Sequence, residues 1–178
     1  MAIIIDTNCF AHVFKRNSDN HEEFKPVLDW ILSGKGLIAY GGTKYFEELK
    51  KANKYLKILR LFKEQNKVIV GDREEIDKLE ERNKELIKDE DFDDPHLPAI
   101  AIVTKCMLIC SVDNRSIKHV KNNVLYPDGF SCPAYYTGQR NSDLLCDKYV
   151  HSCHKPLIKI NLANQGNLVL AVDKITEK

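Results

Sequence analysis

Four acidic residues in this chain, Asp6, Glu48, Asp94 and Asp113, stand where the local pattern places them beside a strand end or a helix start. Asp6 closes the run Ile3-Ile4-Ile5 and is followed at once by Thr7 and Asn8. Asp113 follows the apolar run MLICSV (107–112) in the same way. Asp94 precedes PHLPAIAIVTK, the segment that leads into that run, and Glu48 lies in a helical stretch after GLIAYGG, with Glu47 beside it. If the strands are parallel, all four acids can meet at one edge of a sheet. Converging carboxylates repel one another, and burial raises their pKa values unless a cation neutralises them. A hard divalent ion such as Mg2+ or Mn2+ takes oxygen ligands and suits such a cluster. Held there, it activates water for in-line attack on a phosphodiester and stabilises the leaving oxygen. Each acid taken alone has a plainer reading. Asp6 suits a turn, Asp94 and Asp113 suit helix caps, and Glu48 suits a solvated helix face. Their joint occurrence is what points to a site.

The elements that must position these residues follow from the apolar pattern. Ile3-Ile4-Ile5 shows no polar alternation and reads as a strand buried on both faces. GLIAY (36–40), KVIVG (67–71) and MLICSV read as three more strands. Between them lie helical patterns. Asp19 and Glu22 suggest a capping box before HEEFKPVLDWILSG, where Phe24, Val27, Leu28 and Ile31 share a face. Thr43 starts a helix that breaks near Asn53 and continues through YLKILRLFKEQ. REEIDKLEERNKELIKDE carries a narrow apolar stripe, and Leu97, Ile100, Ala101 and Thr104 repeat at helical spacing after Pro95. Strands alternating with helices predict an α/β fold whose central parallel sheet is covered on both faces. From about residue 125 the alternation fails. Residues 126–178 are therefore set apart as an irregular C-terminal extension to a domain spanning 1–125, with two short strand-like runs near the end.

The ordered set strand–DTN, GGxxYxxEL, DDPHLPAIAI and LICSVDN resembles the PIN domain, a family of metal-dependent nucleases. The resemblance runs from residue 3 to about residue 121. It implies a three-layer α/β/α sandwich, and by position it assigns Asp6, Glu48, Asp94 and Asp113 to a catalytic quartet that binds Mg2+ or Mn2+. Asn8 and Ser111 match polar residues that support the quartet. Pro95-His96 stands where the family usually has an alanine, and Glu48 rather than Glu47 is chosen because Leu49 follows it. The activity implied is that of an endoribonuclease cutting single-stranded RNA, with toxins of bacterial toxin–antitoxin pairs among the similar proteins. A toxin of that kind implies an inhibitory, antitoxin-like protein partner.

A net charge of +1 gives no general case for a polyanion partner, so attraction for a nucleic acid must be local. Segment 43–67 supplies it, with Lys44, Lys50, Lys51, Lys54, Lys57, Arg60, Lys63 and Lys67 against three glutamates. Lys44, Lys50, Lys51 and Lys54 are the candidate contacts to the backbone. Tyr45 and Tyr55 lie among them and suit either base stacking or packing. With 43% hydrophobic and 30% charged residues the chain reads as globular, and no stretch approaches the ~20 apolar residues of a membrane span. A cytoplasmic protein with reduced cysteines is expected. Two further readings stay open: a non-catalytic PIN-fold binding or scaffold module, and a nuclease acting on DNA. In the tail, Cys132, Cys146, His151, Cys153 and His154 are chemically adequate for zinc but lack a CxxC pair.

Overall fold

The computed structural model describes residues 2–146, 152–154 and 159–177. Five short strands form one sheet: β1 (Ala2–Ile5), β2 (Leu37–Tyr40), β3 (Val68–Val70), β4 (Leu108–Cys110) and β5 (Ala134–Tyr136). Their order is β3-β2-β1-β4-β5, and every neighbouring pair is parallel. The isoleucines of β1 are fully buried because that strand is the middle of the sheet and is covered on both faces.

Between β1 and β2 run α1 (Phe10–Phe14) and α2 (His21–Ser33); between β2 and β3 run α3 (Thr43–Lys51) and α4 (Lys54–Glu64). The chain then reverses direction across the sheet, passing through α5 (Arg73–Leu86) and α6 (His96–Thr104) to reach β4 on the other side of β1. Parallel crossovers keep one hand, so this reversal moves the helices to the opposite face. Accordingly α5 packs on α6, and α6 lies on β1 and β2. On the other face α1 packs on α2, and Phe10, Phe14, Tyr55 and Phe62 form a chain of ring contacts from α1 to α4. The α/β fold with helices around a parallel sheet therefore stands as the sequence indicated.

Three local expectations change. The Asp19–Glu22 capping box does not form: α2 starts after Asn20, without a side-chain cap. Beyond α7 (Asn114–Val120), the strand-like run NLVLAV (167–172) lies inside a helix, α8 (Leu162–Thr176), which packs on α4 and α1 and buries Leu168 and Val172 while Leu170 stays exposed. Most of the other run, PLIKI (156–160), falls outside the described residues. Residues past 125 also supply β5, whose Ala134, Tyr135 and Tyr136 pair with Leu108, Ile109 and Cys110.

The start of α3 is set by glycine and by a distant acid. Gly42 has φ +77°, and a Cβ there would meet Ile76 Cγ2 at 2.5 Å, so a side chain would both strain the backbone and push α5 away. Thr43 donates both its backbone N–H (2.6 Å) and its hydroxyl to the Asp77 carboxylate, which caps α3 from α5. Thr43 is thus the first helical residue, and its partner is thirty-four positions away.

Candidate functional site

In an open parallel sheet, ligands bind beyond the carboxyl ends of the strands where the strand order reverses. Here that point lies between β1 and β4, and the residues that follow those two strands are Asp6 and Ser111 to Asp113. The register is fixed by Ile4 opposite Ile109 and Ile5 opposite Cys110, and the Asp6 N–H donates to the Cys110 carbonyl at 2.9 Å.

Asp6 is buried. Its carboxylate accepts from the Ser111 hydroxyl (2.7 Å), the Asn8 side-chain amide (2.9 Å) and the Asn8 backbone N–H (3.4 Å). Those bonds favour the charged form, yet burial dominates and, helped by the Glu48 charge, pushes Asp6 up to about 6. Asn8 and Ser111 thus both hold Asp6.

Glu48 is placed by α3. Tyr45, fully buried, donates its hydroxyl to the Ile5 carbonyl at 2.5 Å and so ties α3 to the end of β1. Three residues on, on the same helix face, Glu48 accepts from the Thr7 hydroxyl at 2.8 Å. Glu47 is exposed. Lys44 lies 3.5 Å from the other Glu48 oxygen. His96 Nε2 is 3.8 Å from Glu48, but this is no ion pair: burial, with Lys44 and Lys84 nearby, drives His96 down to about 3, so the ring is neutral.

Asp94 precedes α6, and its carbonyl accepts from the Leu97 N–H at 3.1 Å. Its side chain does not cap the helix; the capping position falls to Pro95. Burial first, then the charge of Asp6, raise Asp94 to about 7, with Asp93 and Glu48 adding to the effect. The buried Ser116 hydroxyl, which makes no hydrogen bond of standard geometry, offsets part of this.

Asp113 behaves differently. It caps α7 by accepting from the Arg115 N–H at 2.9 Å, and the Arg115 guanidinium reaches its other oxygen at 3.0 Å. Arg115 holds its carboxyl below the usual range. Asp113 N–H donates to Ser111 Oγ at 3.0 Å, so one serine links Asp6 to Asp113.

Asp93, Asp94 and Asp113 each offer a carboxylate oxygen, and these oxygens lie within 4.8 Å of one another. The structure thus brings Asp94 and Asp113 into one potential ligand group, with Asp6 and Glu48 acting on Asp94 through their charges. An all-oxygen donor set of closely spaced acids fits a hard divalent ion. Sequence reasoning missed Asp93, Thr7 and Arg115. Asp93 was in view as the first half of the Asp93-Asp94 pair, but only the loop geometry shows that both acids face the same space.

The candidate nucleic-acid contacts divide. Lys44 is tied to Glu48, Lys50 and Lys51 are exposed, and Lys54 lies with its ammonium 5.6 Å from the Tyr55 ring centre. Lys67, counted with the basic stretch, is fully buried and donates to the Gly34 and Gly36 carbonyls (3.0 and 3.2 Å), so it serves the fold. In the tail, the Cys132 thiol points to Asn123 Oδ1 (2.9 Å), while His154 bonds the Thr104 carbonyl (2.6 Å). His151 lies outside the described residues, and among the described residues no cysteine–histidine group could hold a metal. Among the described residues no helix is long and apolar enough to cross a membrane.

Comparison with family models, with curated proteins and with solved structures found no match for the chain.

Proposed function

We propose that the chain is a divalent-metal-dependent nuclease of the PIN type, an endoribonuclease acting on single-stranded RNA. The observation that carries this reading is the gathering of acids at the switch point of the sheet: Asp6 is buried there, and half-buried Asp94 has a carboxylate oxygen within 4.8 Å of those of Asp93 and Asp113. Burial raises both carboxyls, with the Glu48 charge adding at Asp6 and the Asp6 charge adding at Asp94, so their ionised forms cost stability at neutral pH that a cation among them would offset. Asp6, Glu48, Asp94 and Asp113 would hold Mg2+ or Mn2+, with Asp93 at the outer side. Bound there, the ion supplies positive charge that polarises a phosphodiester and activates water for in-line attack.

The protein's own groups do the positioning. Thr7 fixes Glu48 and Asn8 and Ser111 fix Asp6, so these carboxylates need little reorganisation when charge arrives. Lys44 and Arg115 stand at two sides of the acids, where they would meet a phosphate that approaches the centre. Lys50, Lys51 and Lys54 extend the positive surface along α3 and α4 toward a strand. A cytoplasmic location and, for a toxin of this type, an inhibitory antitoxin-like partner belong to the same proposal.

The test is cleavage of end-labelled single-stranded RNA and single-stranded DNA of the same sequence with Mn2+, with and without EDTA. RNA fragments that vanish in EDTA are expected. Fragments that persist in EDTA would refute the metal-dependent mechanism. No cleavage of either strand despite Mn2+ binding would leave a metal-binding module instead.

A further inference from the structure

A cavity of about 590 Å3 opens where the α3–α4 turn meets the end of α8, lined by Lys51, Ala52, Asn53, Lys54, Lys57, Lys174 and Ile175. Four lysines line it and no carboxylate does. The packing of α8 builds this arrangement. Near its start, the Asn164 amide donates to Gln65 Oε1 (3.1 Å), just past the end of α4. α8 therefore runs antiparallel to α4 and brings its last turn to the first turn of α4. Asp173 pairs with Arg16 at 2.9 Å and anchors that last turn, so Lys174 is held beside the cavity.

Helix electrostatics explain some of these lysines and not others. Lys51 and Lys174 lie in the last turns of α3 and α8, where cations offset the carbonyl end. Lys54 and Lys57 begin α4, where the exposed N–H groups favour anions and cations are unfavourable. That first turn has no acid and no side-chain cap. An anion in the cavity would answer the four ammonium groups and the positive end of α4, where the Tyr55 N–H is already held by the Ala52 carbonyl (2.9 Å).

The cavity is also in line with the acidic centre. Lys51 is three residues past Glu48, on the same face of α3 and about 4.5 Å further along its axis. We infer that this cavity is a phosphate-binding subsite for the nucleic-acid strand, built by Lys51, Lys54, Lys57 and Lys174, and that it receives backbone phosphates next to the one held at the acids. It gives the C-terminal helix a role in the site. The inference rests on the nuclease reading only for the identity of the polyanion.

Binding of a fluorescein-labelled oligouridylate to the full chain in EDTA, followed by anisotropy across a salt series, tests it without any cleavage. Removing one lysine–phosphate pair should flatten the slope of log K against log salt by about 0.7, so Lys57→Gln with Lys174→Gln should flatten it by about 1.4. Lys78→Gln with Lys88→Gln removes the same charge from positions on and just past α5, away from the cavity, and should leave the slope unchanged. Equal slopes for wild type and the cavity pair would overturn the inference, as would an equal flattening in the α5 pair. Full displacement of the strand by low inorganic pyrophosphate would overturn it too, since it would mark a small-anion pocket. A flattened slope in a protein that cuts nothing with Mn2+ would retain the subsite and reject the nuclease.

Discussion

Asp6 and Asp113 occupy matching places, just past the ends of neighbouring parallel strands, and Ser111 touches both. Their carboxyl groups are nevertheless driven in opposite directions. Asp6 is buried, has only neutral hydrogen-bond donors, and rises to about 6. Asp113 is at the rim, has a guanidinium at 3.0 Å, and falls below its ordinary value. Asp94 is grouped with Asp113 in space but sides with Asp6 in its chemistry, at about 7. Strand-end position alone therefore does not define the chemistry of an acid. No basic side chain is among the groups that set the carboxyls of the inner pair, Asp6 and Asp94, whereas Asp113 is paired with the Arg115 guanidinium.

Breaking the inner pair should have the largest effect. Asp6→Asn keeps the size of the side chain but deletes a charge. Cleavage should fall by on the order of a hundredfold or more, the scale seen when one electrostatic group at a reacting centre is removed. Mn2+ affinity by calorimetry should fall with it. In EDTA at neutral pH the same variant should be more stable than wild type, by about 3 kcal/mol for a shift from 3.8 to about 6. Reduced stability in EDTA would mean that the charge of Asp6 is already compensated.

The pH dependence sharpens the same contrast. Asp6 and Asp94 have native values above the unfolded 3.8, so the native state binds more protons than the unfolded chain between about pH 4 and 7. Their contribution to stability is fully present below pH 3.8 and is lost as pH rises through 6 and 7. The Asp6 charge acts on Asp94, so the two losses are linked. Thermal midpoints in EDTA should therefore fall as pH rises from about 5 to about 8, and saturating Mn2+ should remove the fall. A midpoint that rises with pH in EDTA would contradict raised, uncompensated carboxyls at Asp6 and Asp94.

A smaller contrast separates adjacent glutamates. Glu48→Gln removes a charge that acts on both Asp6 and Asp94, so Mn2+ affinity should weaken several-fold. Glu47→Gln alters an exposed side chain about 100° around the helix and should leave affinity unchanged. The reverse result would show that α3 is rotated relative to the structure.

The inner region was far more legible in the sequence than the outer one. Aliphatic runs mark β1, β2 and β4 because strands buried on both faces must be apolar throughout, and the acids that end two of them stand out by type. Asn8 and Ser111 were assigned through the resemblance to the PIN domain, not through any pattern of their own. The Thr43–Asp77 cap and the Tyr45–Ile5 bond were not legible, since each joins residues more than thirty positions apart. β5 is only three residues long and lies among prolines and cysteines, so pattern gave no signal for it. α8 misled because Leu168, Val169, Leu170 and Val172 suit a strand by propensity, while packing on α4 decided for helix. Asn161, which accepts from the Asn164 N–H at 2.9 Å, was the readable sign of a helix start there.

Arg115 is the finest test of the comparison, because its guanidinium is what makes the rim unlike the interior. It bonds Asp113 and reaches Asp93 at 3.9 Å, so it competes with any metal for two of the three clustered acids. Arg115→Gln should let the Asp113 carboxyl rise toward its ordinary value, with little change in the thermal midpoint, because an exposed pair contributes little. Mn2+ affinity should increase modestly, since the outer acids are freed from a fixed partner. Cleavage should move the other way if Arg115 also meets the substrate phosphate, with KM rising more than kcat falls. Unchanged Mn2+ affinity in Arg115→Gln would show that Asp93 and Asp113 do not reach the ion, leaving Asp6, Glu48 and Asp94 as its carboxylate ligands.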